Sequence, residues 1–190
     1  MLDIHIVRHG VTDYNLQGRV QGPLNHPLNG EGRAQAAEAA EILGNAFPVP
    51  EAVFSSSLAR ARETAAIIQR RFDIPLITSS LLREISQGAW NGQSHADLRK
   101  IYPEERKLWE EKPWEFTPPG GESILDVQKR LTIFLEGILL HDFHGAIIIV
   151  THEIAGAVLA TMLRQLPVQK MSDFYQKNGG VMKIQFDGSI

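Results

Sequence analysis

Short apolar runs alternate with longer amphipathic stretches along this chain of 190 residues. The run over residues 146–150 is uninterrupted, which is typical of a central parallel strand buried on both faces. The alternating run over residues 4–7 ends abruptly in a basic pair and a glycine, as at the tip of a buried strand. Further strands are predicted at residues 51–55, 75–78 and 180–187, the last of them half-exposed.

Stretches with apolar residues near the helical period separate these strands. They predict helices over about residues 30–44, 58–72, 122–140 and 153–166. Asn29 is placed to cap the first helix, and the serines at residues 55–57 are expected to close a strand and cap the second. Strands that alternate with helices predict an α/β protein, a three-layer α/β/α sandwich with a mostly parallel sheet.

Two segments follow neither pattern. Residues 12–23 are rich in glycine, amides and hydroxyls, which predicts a loop, and a loop of this length is usually functional. Residues 86–121 contain two predicted short helices interrupted at Pro103, followed by a proline- and glycine-rich excursion. The apolar content of this segment is too thin for a separate core. We therefore predict one domain over residues 1–190, with residues 86–121 as an insertion that covers one end of the sheet.

Composition narrows the possible functions. The net charge of −3 and a sequence pI near 6.2 give no overall basis for binding nucleic acid or an anionic membrane. Cysteine is absent, which excludes disulfides and thiolate nucleophiles. No stretch approaches the roughly 18 apolar residues of a membrane span, and the N-terminus lacks a signal-peptide pattern. We expect a cytoplasmic enzyme or binding domain with neither a membrane nor a nucleic acid as partner.

The two clearest strands each end in a histidine, His9 and His152. Ligands of open α/β sheets bind just outside the carboxyl ends of the strands, so the two histidines are expected to share a pocket. Arg8, Arg60 and Glu84 can reach the same edge. Two arginines, two histidines and one carboxylic acid suit phosphoryl transfer, because guanidinium groups match phosphate oxygens and an imidazole can act as nucleophile.

These residues belong to an ordered set of motifs that spans nearly the whole chain. The motifs include Arg8-His9-Gly10-x-Thr12-x-x-Asn15-x-x-Gly18-Arg19-x-Gln21-Gly22, Ser56-Ser57-Leu58-x-Arg60-Ala61, Leu82-x-Glu84, Pro119-Gly120-Gly121-Glu122-Ser123 and Val150-Thr151-His152. In this order they resemble the histidine phosphatase (phosphoglycerate mutase-like) superfamily. The chain is most similar to its small bacterial phosphatases, including the alpha-ribazole phosphatase and broad-specificity groups. The resemblance implies a phosphoglycerate mutase-like fold, and an insertion over residues 86–121 that caps the active site.

The resemblance also implies roles for individual residues. His9 would attack phosphorus and become phosphohistidine, while Arg8, Arg60 and His152 would stabilise the phosphate oxygens. Glu84 would protonate the leaving oxygen and then activate water. No metal or cofactor would be needed, because the arginines neutralise the charge. The implied phosphate- and substrate-binding residues are Arg8, Asn15, Gln21, Gly22, Arg60, Glu84, His152 and Glu153.

Two positions depart from the family pattern. Val11 stands where the family usually has a polar residue, which changes the expected wall of the pocket. Glu153 follows His152 where the family commonly has glycine. Its backbone N–H can still point at phosphate from a helix N-terminus. Its carboxylate adds negative charge near an anion site, which would either weaken binding or select a substrate with a cationic part.

The leading expectation is a metal-independent phosphatase that hydrolyses phosphomonoesters of small metabolites through phosphohistidine. One alternative is a phosphoglycerate mutase, although mutases carry a longer insertion between the acid and the second histidine. Another is a catalytically weak phosphate-binding or regulatory homologue, which Val11 and Glu153 motivate. A homodimer is implied by resemblance alone. Four aromatic residues either pack the insertion or recognise the rest of a substrate: Trp90, Trp109, Trp114 and Phe116.

Overall fold

A five-stranded sheet forms the centre of the computed structural model, which describes residues 1–46, 50–141 and 143–188. The strands are β1 (Leu2–Arg8), β2 (Ala52–Ser56), β3 (Leu76–Ser79), β4 (Ala146–Thr151) and β5 (Val181–Phe186). They lie in the order β3-β2-β4-β1-β5. All neighbouring pairs are parallel except β1 with β5, which is antiparallel. The predicted α/β class and mostly parallel sheet are therefore confirmed.

Helices cover both faces of the sheet. They are α1 (Asp13–Leu16), α2 (Gly30–Ala46), α3 (Ala59–Phe72), α4 (His95–Ile101), α5 (Pro103–Glu111), α6 (Ile124–Leu139) and α7 (Glu153–Leu163). In β4, which is buried along its whole length, Ile148 and Val150 pack with α2 and α3. The alternate residues Ile147 and Ile149 pack with α6 and α7, which confirms the three layers. Within the described ranges, no helix is long and apolar enough to cross a membrane.

The segment predicted as a loop over residues 12–23 contains the short helix α1. Thr12 Oγ1 accepts a hydrogen bond from the Asn15 N–H at 3.3 Å, and Asn15 Oδ1 accepts from the Thr12 N–H at 3.0 Å. This reciprocal capping box satisfies the N–H groups at the start of the turn. The prediction of a loop is therefore wrong for residues 13–16, because local side-chain bonds stabilise a helical turn there.

Helix α3 begins without the serine cap that the sequence predicted. Its N-cap residue is Leu58, whose side chain makes no capping bond. Instead, Asn25 Oδ1 accepts a hydrogen bond from the Ala59 N–H at 2.7 Å. A residue of the preceding loop thus caps this helix from a distance in sequence. Helix α7 ends at Leu163, earlier than predicted, and Gln165 just beyond it adopts the left-handed conformation with φ of 53°.

Residues 86–121 contain α4 and α5, which are interrupted at Pro103 as predicted. Trp90 and Leu98 are fully buried, and Trp109 is nearly so. All three belong to the apolar cluster that also contains side chains of β1, β4 and α6. The insertion therefore packs its large side chains on the core of the sheet rather than on a core of its own.

Candidate active site

The parallel register brings the two predicted histidines together at one edge of the sheet. Arg8 of β1 is aligned with Thr151 of β4, so the next residues, His9 and His152, leave the two strands side by side. Their ring centroids are 5.0 Å apart. The side chains are almost fully enclosed, with 3% of His9 and 1% of His152 exposed. The carboxyl ends of two adjacent strands thus form the floor of the candidate site.

His9 is held in one tautomer by the backbone carbonyl of the next residue. Its Nδ1 lies 2.7 Å from the Gly10 carbonyl oxygen, which can only accept, so Nδ1 carries the proton. Nε2 then has a lone pair, and Arg60 Nε donates to it at 3.2 Å. Burial, and after it the charge of Arg60, lowers the pKa of His9 well below its usual range. The imidazole is neutral near pH 7, with Nε2 available as a nucleophile.

Arg60 lies in the first turn of α3 and is 1% exposed. Nη1 donates to the Leu24 carbonyl at 2.7 Å, and Nη2 donates to the Gly22 carbonyl at 2.8 Å. Burial lowers the pKa of Arg60 to about 10, so the guanidinium remains charged at neutral pH. The predicted phosphate ligand Gly22 therefore contributes its carbonyl to orienting Arg60 in this structure. The loop before α2 fixes a buried cation against His9.

His152 makes one side-chain hydrogen bond, between Nε2 and Ser56 Oγ at 2.8 Å. Ser56 Oγ also accepts from the Leu58 N–H at 3.3 Å, and its hydroxyl proton can be donated to His152. With the hydroxyl as donor, the imidazole proton lies on Nδ1, a buried atom with no hydrogen-bond partner within the described ranges. Burial, followed by Arg60 and His9, lowers the pKa of His152 well below its usual range. In this tautomer His152 is a neutral donor beside His9.

Asn15 and Gln21, two further predicted phosphate ligands, both contact Thr12. Asn15 Oδ1 accepts from the Thr12 backbone, and Gln21 Oε1 accepts from the Thr12 hydroxyl at 3.0 Å. Gln21 is also buried. Because both amide oxygens are occupied as acceptors, the amide NH₂ groups remain as the donors that an anion requires. Ligation of phosphate by these two residues stays a prediction.

Glu84 is held across the N-terminus of α7. Its Oε1 accepts from the Ile85 N–H at 3.0 Å and from the Ala155 N–H at 3.1 Å, while Oε2 accepts from the Ile154 N–H at 3.3 Å. A carboxylate at this end of a helix is stabilised by the exposed N–H groups and the helix dipole. Glu84 is thereby fixed near His152, because its hydrogen-bond donor Ile154 lies only two residues after His152. The amides that could have bound phosphate at positions 154 and 155 are used to orient this carboxylate.

Glu153 does not leave an unpaired negative charge in the site, because it forms an ion pair with Arg8. Arg8 Nη1 donates both to this carboxylate and to the Gln176 carbonyl, the latter at 2.6 Å. The Arg8 side chain is 12% exposed, whereas the Glu153 side chain is 41% exposed. Partial burial raises the pKa of the Glu153 carboxyl, and Arg8 opposes that shift. A phosphate ligation by the Glu153 N–H stays a prediction.

Sequence analysis missed residues that support the site from the segment before β5. Asn178 Nδ2 donates to the His9 carbonyl at 3.0 Å, and the Gly179 N–H donates to the Arg8 carbonyl at 3.0 Å. Together with Gln176, these residues hold the tip of β1 in place. No local motif marks them, since their role depends on the antiparallel return of β5 along β1. Ser56, which contacts His152, lies in the motif Ser56-Ser57-Leu58-x-Arg60-Ala61, but no role was predicted for it.

A cavity of about 170 Å³ adjoins the site beneath the insertion. Gln87 and Trp109 of the insertion line it, together with Glu153 and Tyr175. Trp90, in contrast, is fully buried and stacks on Phe116 with ring centroids 5.6 Å apart. Of the two alternatives for the aromatic residues, Trp90 is therefore a packing residue, whereas Trp109 is also placed to meet a ligand.

The sequence and the fold of this chain are similar to those of known proteins. The sequence profile of the histidine phosphatase superfamily (branch 1) matches residues 4–189. Glucosyl-3-phosphoglycerate phosphatase of Mycobacterium tuberculosis is 36% identical over 172 residues, covering 86% of this chain and 75% of that protein. The solved structure of the mycobacterial glucosyl-3-phosphoglycerate phosphatase Rv2419c complexed with VO3 gives a TM-score of 0.89 at 31% identity, covering 96% of this chain and 90% of that chain. A probable phosphoglycerate mutase of Proteus mirabilis, GpmB, is 30% identical over 194 residues, covering 100% of this chain and 87% of that protein.

Proposed function

This chain belongs to the histidine phosphatase superfamily and is a phosphoric monoester hydrolase, and we propose that it cleaves esters of small metabolites through phosphohistidine on His9. The observation that carries the proposal is the state of His9. Its imidazole is buried and neutral, its Nδ1 proton is held by the Gly10 carbonyl, and its Nε2 lone pair faces Arg60. A nucleophile with a fixed lone pair beside a cation suits attack on a phosphate ester.

In the first half-reaction, His9 Nε2 forms a bond to phosphorus while the bond from phosphorus to the ester oxygen breaks. Arg8, Arg60 and His152 donate hydrogen bonds to the remaining phosphate oxygens and stabilise their charge in the transition state. Glu84, protonated at this stage, gives its proton to the leaving oxygen. The alcohol then departs, which leaves a phosphoryl group on His9 and a carboxylate on Glu84.

In the second half-reaction, water attacks the phosphohistidine. The Glu84 carboxylate takes a proton from this water, the bond from phosphorus to Nε2 breaks, and inorganic phosphate is released. Glu84 is thereby returned to its protonated form for the next ester. Its three backbone hydrogen bonds hold the carboxylate in place at the start of α7, as the base of this second step requires.

Hydrolysis and phosphoryl transfer between hydroxyls give different products. We expect the protein to release inorganic phosphate and p-nitrophenol in equal amounts from p-nitrophenyl phosphate. We also expect that it does not interconvert 2-phosphoglycerate and 3-phosphoglycerate. Both reactions are followed in the same preparation, with His9→Ala as the blank. Glucosyl-3-phosphoglycerate, the compound in the relative's name, belongs on the accompanying panel of metabolite esters.

Two outcomes would contradict this assignment. Interconversion of the phosphoglycerates faster than phosphate release would favour the mutase alternative, for which GpmB provides the motive. A wild-type protein no faster than His9→Ala on every ester would favour the catalytically weak phosphate-binding alternative. Equal amounts of alcohol and phosphate, formed only when His9 is present, support a hydrolase.

Replacing Glu84 with glutamine is expected to separate good leaving groups from poor ones. For an alkyl phosphate, kcat/KM should fall by about 10²–10⁴-fold, because the alkoxide must be protonated as it leaves. For p-nitrophenyl phosphate, the fall in kcat/KM should be at least tenfold smaller, since nitrophenolate leaves without a proton. The measurement is kcat/KM for both esters in wild type and variant.

Glu63→Gln is a matched control, because Glu63 lies on α3 and is joined only loosely to Arg33, with 3.8 Å between charged atoms. It should leave the ratio of the two kcat/KM values unchanged. Equal losses on both esters in Glu84→Gln would remove Glu84 from the role of general acid.

We further propose that residues 86–121 cap the active site within a single domain. The burial of Trp90 and Trp109 in the shared core, and the contribution of Gln87 to the cavity, support this role. A cytoplasmic location stays a prediction from the sequence, and the net charge of −3 supports the lack of a nucleic-acid partner. A homodimer remains a prediction from the family.

A further inference from the structure

Arg8 is shared between the proposed phosphate site and Glu153. Its Nη1 holds the Glu153 carboxylate and the Gln176 carbonyl. Its Nε is buried and has no hydrogen-bond partner in the part of the chain that the structure describes. A phosphate can therefore use the free edge of the guanidinium while Glu153 keeps Nη1. One cation then serves two anions that lie on opposite edges of the same planar group.

Glu153 also lines the cavity beneath the insertion, together with Gln87, Trp109 and Tyr175. Partial burial, followed by the charges of Glu153 and Glu84, raises the pKa of Tyr175 to about 12. The phenol is therefore neutral near pH 7 and adds no charge beside Glu153. Among these four residues, Glu153 supplies the charge.

The other charged residues that line the cavity compensate one another. Arg106 Nε donates to Glu110 Oε1 at 2.8 Å, and Arg106 also contacts His95. Burial lowers the pKa of His95, which keeps that ring neutral near pH 7. Of the residues that line the cavity, Arg106 carries the positive charge and is paired with Glu110, a carboxylate that also binds Arg99 outside the cavity at 2.9 Å. When Arg8 also binds phosphate, it neutralises the Glu153 carboxylate only in part. The leaving group of the ester then meets this negative charge in the cavity.

In the proposed mechanism, the leaving group of a bound ester lies beside the start of α7, where Glu153 is the first residue. Glu84, the proposed acid, accepts hydrogen bonds from Ile154 and Ala155, the two residues that follow Glu153. The ester oxygen lies at Glu84 when it is protonated. Substituents one or two carbons farther along the leaving group therefore reach the cavity side of the helix start, where Glu153 lies. A positively charged substituent is attracted by the Glu153 carboxylate, and a negatively charged one is repelled.

We propose that Glu153 is a specificity-determining residue that favours phosphomonoesters whose leaving group carries an ammonium group near the ester oxygen. The ammonium group pairs with the Glu153 carboxylate, because Arg8 cannot fully neutralise that carboxylate while it also binds phosphate. A carboxylate at the same place meets a like charge and is disfavoured. The inference rests on the proposed function of the site and adds a substrate class to it: phosphorylated amino alcohols.

The test compares three esters that share a two-carbon leaving group. O-phosphoethanolamine ends in an ammonium, 2-hydroxyethyl phosphate in a hydroxyl and phosphoglycolate in a carboxylate. For wild type, kcat/KM should fall in that order, by about tenfold at each step, as expected for one partly exposed charge contact. Hydrolysis of p-nitrophenyl phosphate in the same preparation, with His9→Ala as the blank, reports whether the catalytic site works.

Glu153→Gln removes the charge but keeps the shape and an acceptor for Arg8. In this variant the three kcat/KM values should converge to within about threefold, because the selective contact has lost its charge. Glu41→Gln is the matched control, since Glu41 on α2 is exposed and forms an ion pair of 3.6 Å with Arg71 on α3. It should keep the wild-type order. Because each value is a ratio within one preparation, a change in the folded fraction cancels.

Each outcome decides the inference. Normal His9-dependent hydrolysis of p-nitrophenyl phosphate without a preference for the ammonium ester would overturn the role of Glu153 while leaving the proposed function intact. A preference that persists in Glu153→Gln would overturn it as well. Failure to hydrolyse every ester, p-nitrophenyl phosphate included, would overturn the proposed function and this inference together. If Glu153→Gln does not fold, Glu153→Gly, with the residue that the family commonly has at this position, takes its place in the same comparison.

Discussion

Replacing His9 with asparagine is expected to lower kcat by at least about 10⁴-fold, the largest loss of any single substitution in this protein. Asparagine can still donate to the Gly10 carbonyl, but it has no nitrogen lone pair that could replace Nε2 as nucleophile. The packing of the site changes little, whereas the covalent step is removed. Steady-state phosphate release measures the loss. Quenching wild type in alkali with a labelled ester should also trap an acid-labile phosphoryl group, and the variant should trap none.

A matched histidine elsewhere controls for the chemistry of the substitution. His141 makes the same contact as His9, from Nδ1 to a carbonyl oxygen, with Gly137 at 2.9 Å, but it is exposed and outside the site. His141→Asn should retain wild-type kcat and the trapped phosphoryl group. Retention of more than a hundredth of kcat in His9→Asn, or labelling of a different residue in wild type, would contradict covalent catalysis by His9.

Replacing Arg60 with lysine is expected to lower kcat/KM by about 10²–10³-fold, although the charge is retained. The guanidinium of Arg60 contacts Gly22, Leu24 and His9 with three different nitrogens. An ammonium group cannot reproduce this planar fork, so it cannot orient the loop and contact phosphate together. The buried carbonyls left without a donor should also lower the free energy of unfolding by about 1–3 kcal/mol. Kinetics and urea denaturation measure the two effects.

Arg62→Lys provides the control, because Arg62 is exposed on the same helix only two residues away. It should change neither kcat/KM nor the unfolding free energy beyond experimental error. If the two lysine variants behave alike, the fork of hydrogen bonds at Arg60 contributes nothing specific. A loss of stability in Arg60→Lys with normal kcat/KM would restrict Arg60 to a structural role.

Local sequence patterns predicted an element correctly where burial of that element produces the pattern. The uninterrupted run of β4 is apolar because helices cover both faces of the sheet at that strand. Asn29 was predicted to cap α2, and its Oδ1 does accept from the Gly32 N–H at 2.9 Å. The cap of α3 was not predictable in the same way. Asn25 lies 34 residues before Ala59, and only the folded loop brings them into contact.

The sequence alone determined the two strand tips that carry His9 and His152, because apolar runs and their ends are local properties of the chain. The neighbouring positions of these strands, and hence the 5.0 Å between the rings, come from the sheet order. The partner of Glu153 was decided entirely by the tertiary structure. Arg8 lies 145 residues away, and the two meet because β1 and β4 end at the same edge. The sequence shows which residues are charged. Which opposite charge each of them pairs with depends on the chain segments that the fold brings together.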